Sequence, residues 1–184
     1  MNIYDFDETI YDGDSGVDFF LYSLKKCKVN ISCIFKAVFK CVGKILGKCE
    51  TKDAKNELFG YLKNIKDLSG FVEDFWDEHE HKIKKWYLDQ KEDSDVIISA
   101  SPEFLLKPLE KTMHFTVIAS KVDKKTGAFT SKNCHDYEKI RRYEELYSKK
   151  IEKFYTDSIK ADKPMLEYAK EGYIVKGNEI TKYH

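Results

Sequence analysis

A chain of 184 residues with 42% hydrophobic and 14% aromatic side chains has the composition of a globular protein, which excludes general disorder. Lysine plus arginine equals aspartate plus glutamate at 32 residues each, so no overall field draws in nucleic acid. No apolar run approaches the roughly 20 residues that a transmembrane helix needs. The length fits one domain, or one domain with a sizeable insertion.

The cysteines indicate a reducing compartment. Their number is five and none has C-x-x-C spacing, so neither a disulfide framework nor a zinc site is favoured. Reduced cysteines are typical of cytosolic proteins. We therefore expect a soluble, cytoplasmic protein.

The sharpest motif lies at the start of the chain. Residues 2–7 are predicted to form a strand that leads into Asp5-Phe6-Asp7-Glu8-Thr9. The alternation of side chains along a strand turns Asp5 and Asp7 to the same side. Because carboxylates so close together repel each other, the pair predicts a cation beside it. We interpret the motif as half of a magnesium site that also holds a nucleophile; the alternative is an aspartate-rich turn after a strand.

A long helical segment follows. The pattern from about residue 16 to residue 91 is helical and contains no proline. Helices are predicted over 17–24, 31–46, 53–63 and 69–88, the last capped by Ser69. A lysine stripe on the second helix leaves open contact with a membrane surface, with a phosphate-bearing cleft or only with solvent. Its members are Lys36, Lys40, Lys44 and Lys48.

After residue 91 the pattern changes to short strands that alternate with helices. Strands are predicted over 95–99, 115–119, 152–156 and 172–175, and a hairpin over 122–130. Helices are predicted to begin at Pro102, to span 137–149 and to span 161–170, with a turn and short tail after Asn178. This alternation predicts an α/β fold, a Rossmann-like parallel sheet with helices on both faces.

Polar residues stand where three predicted strands end: Asp5, Ser99 and Asp157. In open parallel sheets, ligands bind beyond the carboxyl ends of the strands, so these side chains are expected to meet at one edge. Carboxylates, a hydroxyl and a lysine are what phosphoryl transfer needs: a nucleophile, a proton donor and positive charge around the phosphate. Free N–H groups near Pro102 are expected to help hold the phosphate.

Four motifs in this order resemble those of the haloacid dehalogenase-like superfamily, and most closely its phosphoserine-phosphatase-like branch. They are Asp5-Phe6-Asp7-Glu8-Thr9, Ser99 after Val-Ile-Ile, Lys139 within 133–139, and Asp157-Ser158 with Asp162. The resemblance implies an α/β core over 1–14 and 92–184. It also implies an all-helical cap, over 15–91, inserted between the first two motifs.

The resemblance also implies roles for single residues. Asp5 would be the nucleophile and a magnesium ligand, and Asp7 the general acid and base that also binds magnesium through its backbone carbonyl. Thr9, Ser99 and Ala100 would bind phosphate. Lys139 would neutralise both Asp5 and the phosphate. Asp157 would bind Mg²⁺. Asp162 would either bind the ion as well or orient the residues that bind it.

Some positions depart from the family pattern. Glu8 replaces a small residue, and Ala100-Ser101 replaces a pair of glycines; we interpret Ser101 as a helix cap. Asp14 lies near a substrate-amine position but also suits a helix cap. The predicted cap has no arginine, which disfavours phosphoserine as the substrate because a carboxylate prefers a guanidinium fork.

We therefore expect a magnesium-dependent phosphomonoesterase that acts on a small phosphorylated metabolite through an aspartyl-phosphate. The alternatives are a phosphotransferase or mutase of the same superfamily, a signalling receiver module, and a non-catalytic binding or membrane-surface protein on this fold. The expected partner is a small phosphate ester, with no nucleic acid and no transmembrane segment. The sequence does not decide the substrate or the oligomeric state.

Overall fold

A six-stranded sheet lies at the centre of the protein, whose computed structural model describes residues 1–27 and 59–184. The strands are β1 (Asn2–Tyr4), β2 (Val96–Pro102), β3 (Thr116–Ser120), β4 (Lys153–Thr156), β5 (Glu171–Lys176) and β6 (Glu179–Lys182). Their spatial order is β3-β2-β1-β4-β5-β6; the first five are parallel, and β6 pairs antiparallel with β5. The predicted α/β fold is confirmed.

Helices cover both faces of the sheet. They are α1 (Ser15–Cys27), α2 (Leu68–His79), α3 (Lys85–Leu88), α4 (Glu103–Leu106), α5 (Leu109–Met113), α6 (Tyr137–Leu146) and α7 (Ile159–Tyr168), with 3-10 turns at Gly60–Asn64 and Glu80–Lys82. Alternate residues of β1 face opposite sides: Ile3 packs with α6 and α7, and Tyr4 packs with the other helices. Across residues 1–27 and 59–184, no helix combines the length and apolarity that crossing a membrane requires.

Helix α1 begins the segment between β1 and β2. Asp14 caps it, since its Oδ1 accepts a hydrogen bond from the Val17 N–H at 2.9 Å. The buried face of α1 carries Phe19 and Tyr22, whereas Val17 and Leu21 are exposed. The spacing of Val17 and Leu21 is helical, as predicted, but the ring contacts of Phe19 and Tyr22 with α2 decide which side is buried.

The prediction of a single helix over 69–88 is wrong. This segment contains two helices, α2 and α3, which are separated by a short extended stretch in which Ile83 forms a bridge with Tyr11. Backbone hydrogen bonds join this stretch to residues 10 and 12, and these long-range partners replace helical ones. The cap of α2 is Asp67 rather than Ser69, because the Asp67 carboxylate accepts the Gly70 N–H.

The second half differs from its prediction in two places. Strand β2 runs on to Pro102, so Ser101 lies in a strand and does not cap a helix. The predicted tail after Asn178 contains β6. The predicted hairpin over 122–130 is present but short: Val122 and Phe129 form one antiparallel bridge, with a backbone hydrogen bond on either side of it.

Several predictions lie outside the described residues: the helix over 31–46 with its lysine stripe, most of the helix over 53–63, and Cys33, Cys41 and Cys49. Cys134 is described, and it is buried and free.

Asp95 is a buried carboxylate at the start of β2, far along the strand from its carboxyl end. Its Oδ2 accepts the Glu92 N–H at 2.9 Å, while its Oδ1 is buried without a hydrogen-bond partner. Burial raises the pKa of Asp95 to about 6, because the charged form loses its hydration.

This burial predicts a pH dependence of stability. An unfolded aspartate has a pKa near 3.9, so the native state binds more protons between about pH 4 and pH 6, and the free energy of unfolding falls as pH rises through that range. We expect Asp95→Asn to raise the free energy of unfolding at pH 8 by up to about 3 kcal/mol and to reduce the fall. Urea unfolding at pH 4 to 8 measures this, with exposed Asp93→Asn as the control. Parallel curves for wild type and Asp95→Asn would contradict it.

Asp136, just before α6, has a strained backbone. Its φ of 57° and ψ of −135° match the first central position of a type II′ turn, which glycine dominates. Its side chain makes no capping hydrogen bond that would compensate. The strain lies three residues before Lys139, at the point where the chain turns into the helix.

We expect Asp136→Gly to raise the free energy of unfolding by about 1 kcal/mol, because relief of strain exceeds the added freedom of the unfolded chain. Asp136→Ala is the matched control: it removes the charge but keeps Cβ, so it should bring no such gain. Denaturant unfolding of the three proteins decides between strain and charge. Equal stabilisation by alanine and glycine would rule out the backbone explanation.

Candidate active site

The site is built around a buried lysine. Lys139 projects from α6 and is 2% exposed, and its Nζ lies 3.0 Å from Asp5 Oδ1 and 2.7 Å from Asp162 Oδ1. Asp5 directly follows β1, which lies between β2 and β4 in the sheet. The Asp5 N–H donates a hydrogen bond to the Tyr155 carbonyl at 2.8 Å. Asp162 is buried at a kink in α7, two residues before Pro164. Three distant parts of the chain therefore meet at one ammonium group.

The charges of this cluster depend on each other. Burial by itself would lower the pKa of Lys139, but Asp5 and Asp162 together raise it, so the lysine stays protonated. Burial raises the pKa of Asp5 and Lys139 opposes that rise, while the second carboxylate at Asp162 adds to it. The cluster has more buried carboxylates than ammonium groups, and this imbalance favours binding of a further cation.

Asp7 has a different environment, because no cation from residues 1–27 or 59–184 contacts it. Its Oδ1 accepts the N–H of Ser15 at 2.7 Å, and its Oδ2 accepts the hydroxyl of Ser101 at 2.5 Å. Burial raises the pKa of Asp7 to about 6, with Asp14 adding to the rise and the two serine contacts opposing it. A carboxyl group with a pKa near neutrality is suited to give and take protons.

The end of β2 lies beside Asp7. Ser99 is buried, and its Oγ accepts the Ser101 N–H at 3.0 Å. Ala100 is partly exposed. Helix α4 begins only at Glu103 and has four residues, so the predicted helix terminus at Pro102 contributes little to anion binding.

Thr9 connects the first motif to the end of β4. It is completely buried, and its Oγ1 accepts the Asp157 N–H at 2.9 Å. Asp157 is half-buried, and burial raises its pKa while Lys176 opposes the rise. This geometry favours Thr9 as a residue that fixes Asp157, rather than the direct phosphate ligand that was predicted.

The oxygen donors at this edge suit magnesium, which prefers carboxylate and carbonyl ligands. The candidates are Asp5 and Asp157. Asp162 fits the role of ligand less well, because its Oδ2 accepts the Thr156 hydroxyl at 2.7 Å and its Oδ1 faces Lys139. Within the described residues, no three acidic, histidine or cysteine side chains are grouped as a metal site. Magnesium is commonly held by one or two carboxylates together with water.

A cavity of about 130 Å³ opens in front of Asp7. Its walls include Asp7, Asp14, Ala100, Ser101, Phe59 and Phe129. Asp14 therefore caps α1 and also faces the cavity, so its two predicted roles are compatible. Glu8 is exposed and has a left-handed backbone with φ of 57°, which explains why a small residue suits this position.

Sequence reasoning missed the serines that hold Asp7. Ser101 was interpreted as a helix cap because proline follows it, and Ser15 carried no signal because its contact is through the backbone N–H. A usable signal existed for Ser101: it lies two residues after Ser99, and strand alternation turns such residues to one side.

Comparison with known proteins identifies the family of this chain. The family model of haloacid dehalogenase-like hydrolases matches residues 3–167. A search of curated proteins found no match.

Three solved structures share the fold. A protein of unknown function from Bordetella pertussis Tohama I has a TM-score of 0.75 at 17% identity, over 94% of this chain and 87% of that one. A phosphoserine phosphohydrolase-like protein from Francisella tularensis subsp. tularensis SCHU S4 has a TM-score of 0.56 at 13% identity, over 94% and 86%. A HAD family hydrolase from Salmonella enterica subsp. enterica serovar Typhi has a TM-score of 0.58 at 18% identity, over 91% and 59%.

At these identities the structural likeness shows the fold alone, while the family model covers most of the chain. The chain belongs to the haloacid dehalogenase-like hydrolases.

Proposed function

We propose that this hydrolase is a magnesium-dependent phosphomonoesterase that acts on a small phosphorylated metabolite through an aspartyl-phosphate. The observation that supports this proposal best is that the two carboxylates of the first motif have different environments. Asp5 contacts a buried ammonium group, whereas the hydrogen-bond partners of Asp7 among the described residues are neutral donors, and Asp7 faces a cavity. Neighbouring carboxylates in such different environments suit a nucleophile and an acid–base group.

In the first half-reaction, a carboxylate oxygen of Asp5 attacks phosphorus while the bond from phosphorus to the ester oxygen breaks. Asp7 gives its proton to that oxygen, which leaves as an alcohol. In the second half-reaction, water loses a proton to Asp7 and attacks phosphorus, and the bond between Asp5 and phosphorus breaks. Inorganic phosphate is released and both aspartates return to their starting states.

Positive charge and hydrogen-bond donors stabilise the phosphoryl group. Lys139 is held next to Asp5 and neutralises the phosphoryl oxygens, with Ser99 and the N–H of Ala100 as further donors. Asp157, Asp5 and the backbone carbonyl of Asp7 would hold Mg²⁺. When bound, the ion offsets the repulsion between the phosphate and Asp5.

The arginines bear on the substrate. The chain has only Arg141 and Arg142. Both contact Glu138, and Arg142 also donates to the Ala119 carbonyl and the Ser131 hydroxyl. Neither arginine lines the cavity in front of Asp7, so no guanidinium fork stands there for a substrate carboxylate, which disfavours phosphoserine. We further propose that 15–91 forms a cap over a core made of 1–14 and 92–184, and that the protein works in the cytoplasm.

Hydrolysis of p-nitrophenyl phosphate tests the nucleophile. We expect turnover with Mg²⁺, loss of turnover with EDTA, and a loss of about 10³-fold or more in Asp5→Asn, because an amide cannot form the aspartyl-phosphate. Asp12→Asn removes an exposed carboxylate from the same loop and serves as the matched control. Full activity in Asp5→Asn would exclude this mechanism.

A lack of turnover by the wild type could also mean that p-nitrophenyl phosphate fits the cavity poorly. Beryllofluoride binding separates these cases, because it tests the site without turnover. A wild-type protein that neither hydrolyses the ester nor binds beryllofluoride is a binding protein on this fold. Transfer of the phosphoryl group to an added alcohol in preference to water would identify a phosphotransferase instead.

Thermal unfolding tests the metal site independently of activity. Mg²⁺ at 100 times its Kd should stabilise the native state by about 2.7 kcal/mol, which raises Tm by roughly 5 to 10 °C. Asp157→Asn should lose most of this rise because a ligand is missing, and Asp12→Asn should keep it. An equal rise in all three proteins would show that Mg²⁺ binds elsewhere.

A further inference from the structure

Ser101 makes contacts that its sequence position alone does not explain. Its hydroxyl donates to Asp7 Oδ2 at 2.5 Å, and it also accepts from the Ser15 hydroxyl at 3.3 Å. Its N–H donates to Ser99 Oγ at 3.0 Å. Ser101 is 8% exposed and lines the cavity in front of Asp7. One residue therefore connects the acid–base carboxyl to the hydroxyl proposed to bind phosphate.

The two oxygens of Asp7 have partners of different kinds. Oδ1 accepts from the backbone N–H of Ser15, and an amide N–H can only donate, so this oxygen remains an acceptor. Oδ2 faces a hydroxyl, which can donate to a carboxylate and accept from a carboxylic acid. A proton on Oδ2 therefore keeps the contact with Ser101, because the hydroxyl changes from donor to acceptor, whereas a proton on Oδ1 would have to share that oxygen with the Ser15 N–H.

We propose that Ser101 is a positioning residue for Asp7: it fixes the plane of the carboxyl group and keeps Oδ2 as the oxygen that exchanges protons in the cavity. The inference rests on the proposed phosphomonoesterase function and deepens it. In the first half-reaction the proton passes from Oδ2 to the ester oxygen as the bond from phosphorus to that oxygen breaks. In the second, water gives a proton back to Oδ2.

A positioning role predicts a dependence on the leaving group. The p-nitrophenolate group leaves readily without a proton, whereas the phenolate of phenyl phosphate needs more help from an acid, and the two esters are similar in shape. The ratio kcat/KM reports the first half-reaction alone. We expect Ser101→Ala to lower kcat/KM about threefold for p-nitrophenyl phosphate and about 100-fold for phenyl phosphate.

The second half-reaction gives an independent readout with p-nitrophenyl phosphate. Where hydrolysis of the aspartyl-phosphate limits turnover, misplacing the base lowers kcat, and KM falls with it because the intermediate accumulates. Ser101→Thr keeps the hydroxyl and should restore most of both parameters. Ser15→Ala keeps the N–H bonded to Asp7 but loses the 3.3 Å contact between the Ser15 and Ser101 hydroxyls. It should therefore lower kcat and KM as Ser101→Ala does, but by smaller factors.

A double-mutant cycle completes the test. If Ser101 acts through Asp7, then Ser101→Ala should cause no further loss in an Asp7→Asn background. An equal loss on both esters, additive losses in the cycle, or no loss at all would overturn the inference, and circular dichroism would identify a variant that fails to fold. A wild-type protein that hydrolyses neither ester and does not bind beryllofluoride overturns the proposed function and this inference with it. A wild-type enzyme with an Asp5-dependent activity and an unaffected Ser101→Ala overturns the inference alone.

Discussion

The buried ion pairs of Lys139 are the constraint on which the site depends. An ammonium group that is 2% exposed is tolerable only with opposite charge in contact, and here Asp5 and Asp162 supply it. These residues belong to α6, the end of β1 and α7, so the contact forms only when the sheet has its native order. Because β1 lies between β2 and β4, Asp5 receives neighbours from both sides. The strained turn at Asp136 is compatible with this requirement, since it is where the chain enters the helix that carries the lysine.

The two carboxylates of the first motif illustrate how environment assigns roles to identical side chains. Asp5 contacts the Lys139 ammonium group, which favours the charged form that a nucleophile needs and opposes the rise in the pKa of Asp5 that burial causes. Asp7, two residues later, contacts an amide and a hydroxyl, and burial brings its pKa to about 6. The distinction comes from partners on other elements. Neither the identity nor the spacing of the two residues contains it.

Much of the fold was predictable from local pattern. Short apolar runs gave the ends of the parallel strands within one residue, because strands buried on both faces are apolar throughout. The exceptions are the carboxyl ends of β1 and β2, which each differ from the prediction by three residues. The failures share a cause, which is a long-range partner that local pattern does not contain. Ile83 pairs with Tyr11 and interrupts a helix, and β6 exists because it can pair with β5.

The candidate site was also predictable only in part. Strand ends placed Asp5, Ser99 and Asp157 at one edge of the sheet, because topology alone brings such residues together. The hydrogen bonds that give each residue its own environment could not be predicted from the sequence. Examples are the bond from the Asp157 N–H to Thr9 and the bond from the Ser101 hydroxyl to Asp7. A motif predicts which residues meet, whereas the environment of each follows from the packing of the whole chain.

The contact between Ser15 and Asp7 connects the chemistry to the segment between β1 and β2. Ser15 is the first residue of α1, and its N–H, one of the free donors at the helix start, is used by the Asp7 carboxylate. Moving α1 relative to the sheet would therefore remove one of the two donors that hold the acid–base group. If residues 15–91 act as a cap, as proposed, the position of the cap and the orientation of Asp7 are not independent.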